Sequence, residues 1–171
     1  MKSLLLLLLI TAYVVAVNAD GPIPAAALTK LQHWYSKSRK VHGYCTNDNT
    51  FCRMRLGSKN LGYTIKGNIG SVVSATKDAV AKAKAACPKG FDKLKLLSFK
   101  YSRYAHLHTL QNATVAGYVA GKKGDCGATV PIKAWRRKDG NGDVLYHTMT
   151  GSRHYKNQPK NGGMPIFYIW P

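Results

Sequence analysis

Residues 71–86 read SVVSATKDAVAKAKAA, and this stretch decides the predicted architecture. Its apolar side chains recur at helical spacing and its lysines lie elsewhere on the circumference, which predicts one helix over Ser71 to Ala86. Ser71 or Ser74 can cap the first turn, and Pro88 ends the helix. The alanine-rich apolar face suits close packing on a sheet.

After this helix, the spacing of the apolar residues changes from a helical to a strand-like pattern. The predicted strands are Lys93 to Thr109, Ala113 to Ala120, Thr129 to Arg137, Asp143 to Thr150 and Met164 to Trp170. Residues 139–142 read DGNG, a strong hairpin turn because Gly and Asn tolerate a positive φ. One main helix packed on an antiparallel sheet of four or five strands predicts an α+β fold.

The signals before residue 71 are shorter. Asp20 to Pro24 is an extended lead-in, and Ala25 to Tyr35 predicts a short helix with apolar residues near one face. Arg53 to Leu56 and Tyr63 to Lys66 predict short strands separated by glycine-containing turns. Because no internal repeat or long linker divides residues 20–171, a single domain is predicted.

Residues 1–19 predict a secretory signal peptide. Met1-Lys2 supplies a positive start, and Leu4 to Val17 is an apolar run too short to span a membrane. Small side chains up to Ala19 fit a cleavage site there. No later stretch approaches the ~20 apolar residues of a transmembrane helix. We therefore expect residues 20–171 to be secreted, and an uncleaved membrane anchor is the alternative.

Secretion determines how the cysteines and one asparagine are interpreted. Four cysteines in an oxidising compartment predict two disulfides, with three possible pairings. Cys45 and Cys52 could close a small loop, and Cys87 and Cys126 would then tie a helix end to a later loop. A metal site is the alternative, but the chain has no CxxC motif, so we predict no metal and no cofactor. Asn112 begins a glycosylation sequon, which predicts a surface turn if it is used.

The charge of the chain predicts an anionic partner. Its 26 Lys and Arg residues face only 7 acidic residues, all aspartate, which gives a formal net charge of +19 at pH 7. Such an excess attracts polyanions. Aromatic residues interleave with the cations, and this combination suits single-stranded RNA or a ribonucleoprotein, because cations pair with phosphates and bases stack on rings. Anionic glycans, anionic lipids and a purely solubilising role are the alternatives. The predicted RNA-binding residues are Tyr104, His106, Lys133, Trp135, Arg136, Arg137 and His147.

The histidines are the main candidates for proton transfer, because the chain has no glutamate. Cleavage of RNA through a 2′,3′-cyclic phosphate needs a base for the 2′-hydroxyl, an acid for the leaving oxygen and a cation for the phosphate. Histidine suits either proton role near neutral pH. His106, His147 and Arg136 form a chemically sensible catalytic set, provided that they converge.

The order of these motifs resembles a known family. Tyr104-Ala105-His106, the strand of Arg136, the DGNG turn and Tyr146-His147-Thr148 follow one another as in the fungal guanyl-preferring ribonucleases and ribotoxins. They also resemble the ribonuclease-like secreted effectors of plant-pathogenic fungi. The resemblance implies a small, disulfide-linked secreted domain with one helix on an antiparallel sheet. It also implies a virulence role inside or on host cells.

One departure from this family decides the predicted function. Its active members carry a glutamate base on the strand that corresponds to Ala113 to Ala120, which has no carboxylate here. Loss of a general base typically lowers the rate by about 10²–10⁴. We therefore predict a ribonuclease-like effector that binds RNA or a ribonucleoprotein without efficient catalysis. The alternatives are an active secreted ribonuclease using His106 and His147, and a cationic secreted protein that binds membranes or anionic glycans.

Overall fold

A computed structural model describes residues 20–101, 105–109, 114–138, 143–148, 153–157 and 163–171, and within them the fold is α+β. The helices are α1 (Thr50–Leu56) and α2 (Lys77–Ala86). The strands are β1 (Leu28–Ser36), β2 (Val41–Thr46), β3 (Tyr63–Ser74), β4 (Lys95–Tyr101), β5 (Ala105–Thr109), β6 (Thr114–Val119), β7 (Val130–Arg137), β8 (Val144–His147), β9 (Tyr155–Asn157) and β10 (Phe167–Ile169).

These strands form two antiparallel sheets, whereas the sequence predicted a single sheet of four or five strands. The first has six strands in the order β2-β1-β3-β6-β4-β5. In the second, β7 pairs with β10, β8 and β9. The first sheet curves so strongly that its edge strands β2 and β5 are neighbours. Isolated bridges, Ser71 to Trp170 and Ala120 to Tyr168, connect the two sheets near one end.

The main core is shared by both sheets. Leu31, Val72 and Leu97 from the first sheet and Ile132 and Phe167 from the second are almost completely buried in it. Burying each such side chain contributes about 1.5–3 kcal/mol. The second sheet is therefore held against the first by the same apolar cluster, which fixes the position of the segments that build the site.

The main helix is shorter at its start than predicted. Residues up to Ser74 belong to β3, where the β-branched Val72 and Val73 are fully buried and paired with β1. Thr76, and neither of the predicted serines, caps α2, because its hydroxyl accepts a hydrogen bond from the amide of Ala79 at 3.4 Å. The helix ends at Ala86 as expected, and its alanine face packs as predicted: Ala79 and Ala83 are buried.

Two shorter segments have the opposite secondary structure from the prediction. Ala25 to Tyr35, expected to be a helix, forms a brief 3₁₀ turn followed by β1. Strand β1 is hydrogen-bonded to β2 and β3 on its two sides, and this pairing overrides the local helical spacing. Arg53 to Leu56, expected to be a strand, lies in α1, because Asn49 caps a helix there by accepting from the amide of Cys52 at 2.9 Å.

The remaining strand predictions are largely confirmed. The segment from Lys93 to Thr109, predicted as a single strand-like stretch, contains two strands, β4 and β5, that pair antiparallel. Strands β7 and β8 pair antiparallel as the DGNG turn requires, although residues 139–142 lie outside the described residues. The proposed signal peptide, residues 1–19, also lies outside them. Within the described part of the chain, no helix combines the length and apolar character needed to cross a membrane.

Both predicted disulfides are present, and all four cysteines are paired. Cys45–Cys52 joins β2 to α1, and Cys87–Cys126 joins the end of α2 to the 3₁₀ turn at residues 125–127. Of the three possible pairings of the four cysteines, the protein therefore has the one in which Cys45 and Cys52 close the small loop. Both bridges are buried, so they belong to the hydrophobic clusters as well as to the covalent framework.

We expect the Cys87–Cys126 bridge to stabilise the protein more than Cys45–Cys52. Their sequence separations are 39 and 7 residues, and in the chain-entropy model these loops correspond to about 4 and about 2 kcal/mol. Urea unfolding of the two double Cys→Ala variants measures the difference. Equal losses, or a larger loss for the small loop, would contradict this ranking.

Candidate functional site

The hairpin of β1 and β2 places four aromatic rings on one face of the larger sheet. In its register His33 lies opposite Tyr44, and Tyr35 lies opposite His42. Directly paired residues share a face, and the ring centroids are 5.5 Å apart in the first pair and 4.8 Å apart in the second. The two histidine rings are also 4.8 Å apart. The strand pairing alone therefore brings both histidines together.

A chain of short hydrogen bonds runs from this face to a buried carboxylate. His33 Nε2 lies 2.6 Å from His42 Nδ1, and His42 Nε2 lies 2.9 Å from the Tyr155 hydroxyl. The Tyr155 hydroxyl donates to Asp143 Oδ2 at 2.7 Å, and Asp143 Oδ1 accepts from the amide of His42 at 3.0 Å. We call these four residues, His33, His42, Tyr155 and Asp143, the relay. It connects the two sheets through polar groups.

The donors and acceptors of the hydrogen bonds in the relay can be assigned in only one consistent way. An ionised carboxylate only accepts, so the Tyr155 hydroxyl donates its hydrogen bond to Asp143 and must accept one from His42 Nε2–H. His42 Nδ1 is then the acceptor for His33 Nε2–H. No hydrogen bond among the described residues engages His33 Nδ1, which therefore carries a lone pair at the open end of the relay.

Burial keeps both histidines of the relay uncharged. Burial, followed by the proximity of His42, lowers the pKa of His33 to about 3. Burial, followed by the positive charge of Arg137, lowers the pKa of His42 to about 4. Burial and the hydrogen bond to Asp143 raise the pKa of Tyr155. At neutral pH both histidines are therefore neutral imidazoles that can accept a proton.

A third histidine lies beside this pair. The ring centroid of His147, at the end of β8, is 5.9 Å from that of His33. Burial lowers the pKa of His147 as well. Next to it, the buried Tyr44 hydroxyl accepts from the amide of Tyr146 at 2.7 Å, which ties β8 to β2. Three imidazoles from β1, β2 and β8 thus form one cluster.

A cationic cleft of about 560 Å³ opens beside the relay. His42, Tyr35 and Tyr155 contribute to its wall, and Lys37 and Lys40 reach it from the turn between β1 and β2. The other lining residues are Lys66, Arg137 and His154. None of the described lining residues is acidic. The cleft therefore combines fixed positive charge with aromatic surface and a neutral histidine.

Two local features position cationic side chains at this cleft. The β1–β3 register shifts between His33 and Trp34, which leaves Lys66 as the extra residue of a β-bulge. Its Nζ lies 6.0 Å from the centre of the Tyr35 ring. On the opposite side, Arg137 Nη1 donates to the carbonyl of Lys40 at 2.9 Å. That bond fixes the guanidinium beside the cleft.

The structure brings together only part of the residue set predicted from the sequence. His147 joins the histidine cluster and Arg137 lines the cleft, while Lys133 lies directly opposite His147 in the β7–β8 register. Arg136 is exposed and alternates with Arg137, so it points to the other face of β7. Trp135 is 4 % exposed and packs against Leu145 and Tyr155, so it supports the cleft wall without lining it.

The other predicted residues are not placed in the cleft. The backbone of His106 lies in β5, the strand that neighbours β2. Tyr104 and the sequon residue Asn112 lie outside the described residues. The side chain of His106 is outside the described part of the structure, so the convergence of His106, His147 and Arg136 stays a prediction.

Sequence reasoning missed four residues of this site: His33, His42, Asp143 and Tyr155. One signal was available, because His33-Trp34-Tyr35 and His42-Gly43-Tyr44 both alternate histidine and tyrosine around a short basic turn. That is the pattern of a hairpin with rings on one face. The helix predicted over Ala25 to Tyr35 concealed it. No local signal marks Asp143 or Tyr155.

Removing the Tyr155 hydroxyl should weaken the fold measurably. Tyr155→Phe leaves Asp143 Oδ2 and His42 Nε2 without their shared partner, so we expect a loss of about 1–3 kcal/mol in the free energy of unfolding. Tyr35→Phe is the matched control, since Tyr35 lines the same cleft with no relay bond. Urea unfolding compares them, and equal stabilities would show that the bridging hydroxyl contributes nothing.

No protein-family model, no curated protein and no solved structure matches this chain. None of the three comparisons identifies a ribonuclease-like family, so the resemblance noted from the sequence stays a prediction.

Proposed function

We propose that this is a secreted, ribonuclease-like basic protein that binds RNA, alone or within a ribonucleoprotein, along the cationic cleft and without efficient catalysis. The observation that carries the proposal is the composition of the cleft, where Lys37, Lys40, Lys66 and Arg137 surround the rings of Tyr35 and Tyr155. Cations pair with phosphates while aromatic surface accepts bases. The net charge of +19 adds a long-range attraction for a polyanion.

The shape of the cleft favours RNA over the other polyanions. A volume of about 560 Å³ lies in the range of sites that enclose a small-molecule-sized group, such as one nucleotide of a strand. A lipid bilayer presents a flat surface that does not fill such a concavity. A sulfated glycan supplies anions but no flat aromatic group to lie against Tyr35.

We expect removal of the cleft lysines to reduce RNA affinity specifically. Lys37, Lys40 and Lys66 are exposed, so replacing all three by glutamine removes charge from the cleft while preserving the core. For single-stranded RNA the slope of log affinity against log salt should fall by about 2, since each phosphate contact contributes about 0.7. The affinity should fall by more than about tenfold.

The control removes equal charge elsewhere. Lys77, Lys89 and Lys122 are exposed and do not line the cleft, so their triple glutamine variant should retain most of the affinity. Equal losses in the two triple variants would indicate diffuse attraction rather than a cleft. Binding no tighter than that of an equally charged flexible peptide would remove RNA as the partner. Tighter binding to heparin or anionic vesicles would then favour the glycan or membrane function.

The histidine cluster favours RNA cleavage as a second candidate function. In transesterification the 2′-oxygen forms a bond to phosphorus and the bond from phosphorus to the 5′-oxygen breaks. One imidazole takes the 2′-hydroxyl proton and another protonates the leaving oxygen. His33 could take the 2′-hydroxyl proton without a glutamate, because its imidazole is neutral at pH 7. The protonated form of His147, whose ring centroid lies 5.9 Å from that of His33, could supply the proton to the leaving oxygen.

A fluorogenic RNA substrate tests this second candidate. Cleavage that is lost in His147→Gln while RNA binding persists would support it, and Lys89→Gln, at an exposed position outside the cleft, is the control that should remain active. Absence of cleavage by the wild-type protein, with binding intact, would leave the non-catalytic function.

A further inference from the structure

We propose that the His33–His42 pair is a proton-coupled phosphate-binding element, which takes up one proton from solvent when the phosphate chain of RNA occupies the cleft. This inference rests on the proposed RNA binding and adds two binding residues and a pH dependence to that site. It begins from the position of the pair, because His42 lines the cleft and is hydrogen-bonded to His33 at 2.6 Å.

The relay specifies where the proton enters and how its charge is stabilised. Since His42 uses both ring nitrogens inside the relay, the lone pair of His33 Nδ1 is the acceptor for an added proton. Protons can then shift from His33 Nε2 to His42 Nδ1 and from His42 Nε2 towards Tyr155 and Asp143. The relay gains one proton from water and no bond between heavy atoms breaks. Its net charge changes from −1 to 0 because Asp143 supplies the counter-charge.

The surroundings of the pair explain why the proton is absent until an anion arrives. The charged or titratable groups that face the pair are Tyr35, Lys37, Lys40, Tyr44, Lys66, Arg137, Asp143, Tyr146, His147, His154 and Tyr155. Burial lowers the pKa of His33 to about 3, with a smaller contribution from the proximity of His42, His147 and Lys66. Burial likewise lowers the pKa of His42 to about 4, with a smaller contribution from Arg137 and His147. Strand β5, next to β2, also carries His106 and His108.

An anion in the cleft raises the pKa values of the pair again. A phosphodiester brings a negative charge against the lining cations and His42, and an opposite charge at such a distance raises the pKa of a histidine, which counteracts the lowering by burial and by neighbouring cations. The proton taken up by the pair then places a positive charge beside the phosphate, which attracts it without a direct hydrogen bond from His42, since both ring nitrogens of His42 stay inside the relay. By linkage, uptake of one proton makes the affinity rise by up to about tenfold for each pH unit lowered.

Calorimetry measures this uptake directly. The probe is a short 2′-O-methyl oligouridylate, which cannot undergo 2′-hydroxyl cleavage and has no group that titrates near pH 6. Titrations near pH 6 in two buffers of different ionisation enthalpy give the number of protons taken up. We expect a positive value for the wild-type protein that increases as the titrations are moved from about pH 6 to about pH 5. An affinity independent of pH, with no uptake although the probe binds, would overturn this inference and leave RNA binding intact.

Two variants assign the proton. His33→Gln keeps an N–H donor for His42 Nδ1 but cannot accept a proton, so we expect it to bind the probe without proton uptake. His154→Gln removes the exposed histidine at the rim of the cleft and should retain the uptake. The reverse result, with uptake lost only in His154→Gln, would overturn the assignment to the pair.

Histidine ring NMR signals of the wild-type protein, recorded with and without the probe, give a second readout that does not depend on any variant folding. A shift of His33 or His42 towards the imidazolium form on binding is expected, and unchanged signals with the probe bound would overturn the inference. Failure of the probe to bind at any pH would overturn the proposed function itself, and the two failures are therefore distinguishable.

Discussion

Lowering the pH from about 7 to about 4 is expected to reduce the free energy of unfolding of the ligand-free protein by about 2–3 kcal/mol. In the folded state the pKa of His42 is about 4 and that of His33 is about 3. Both lie below the value of about 6.5 expected for unfolded histidine. The unfolded chain therefore binds these protons first, and stability falls as the pH decreases below about 6.5.

The size of this effect follows from linkage. Each such histidine contributes at most about 1.4 kcal/mol per pH unit between its unfolded and folded pKa values. His42 is only 9 % exposed. His33 is half-buried, so solvent screening reduces its share. The contribution that the two neutral histidines make to the free energy of unfolding is complete above about pH 6.5 and is lost progressively towards pH 4.

Urea unfolding near pH 7.5 and near pH 4.5 measures the loss. His33→Gln should have a smaller difference between the two pH values than the wild-type protein, because one of the two histidines that must remain neutral is gone. His154→Gln changes an exposed side chain and should reproduce the wild-type difference. Identical pH profiles for His33→Gln and wild type would show that His33 does not contribute to acid destabilisation.

Replacement of Asp143 by alanine should destabilise the protein by about 2–6 kcal/mol, because two buried donors lose their acceptor. The Asp143 side chain is completely buried and accepts from the His42 amide at 3.0 Å and from the Tyr155 hydroxyl at 2.7 Å. Alanine leaves both donors unsatisfied in the interior, and it removes the negative charge from among the cations of the cleft. No substitution elsewhere in the relay removes two hydrogen bonds and a charge together.

Two further aspartate variants make this prediction specific. Asp143→Asn keeps one carbonyl acceptor, so it should lose less, about 1–3 kcal/mol. Asp92→Ala removes the same group from an exposed position and should change the stability by no more than about 0.5 kcal/mol. If Asp143→Ala unfolds at the same urea concentration as Asp92→Ala, the relay has no structural role.

Much of the fold could be predicted because the relevant signals are local. The antiparallel partners β7 and β8 flank a turn that only a few residue types favour. The buried alanine face of α2 follows directly from the helical spacing of the alanines in the sequence. The predictions failed where local spacing was ambiguous. In β1 the apolar residues fit a helix equally well, and pairing with β2 and β3 decided the outcome.

The candidate site was predictable only in its chemistry. The excess of lysine and arginine and the absence of glutamate indicated a polyanion partner and histidine as the proton-transfer residue. Arg137 and His147 were predicted as RNA-binding residues, and they lie at the cleft and in the histidine cluster. The sequence could not rank Arg136 against Arg137, because the face of β7 that meets the cleft depends on how the second sheet packs.

By itself the sequence determined the α+β class, the presence of two disulfides and the strongly positive charge. Each follows from composition or from patterns within a few residues. Only the tertiary structure decided that His33, His42, Asp143 and Tyr155 form one relay. His42 is separated from Asp143 by 101 residues and from Tyr155 by 113. Such contacts depend on the register of β1 with β2 and on the shared core that holds the second sheet against the first, and neither is encoded in local periodicity.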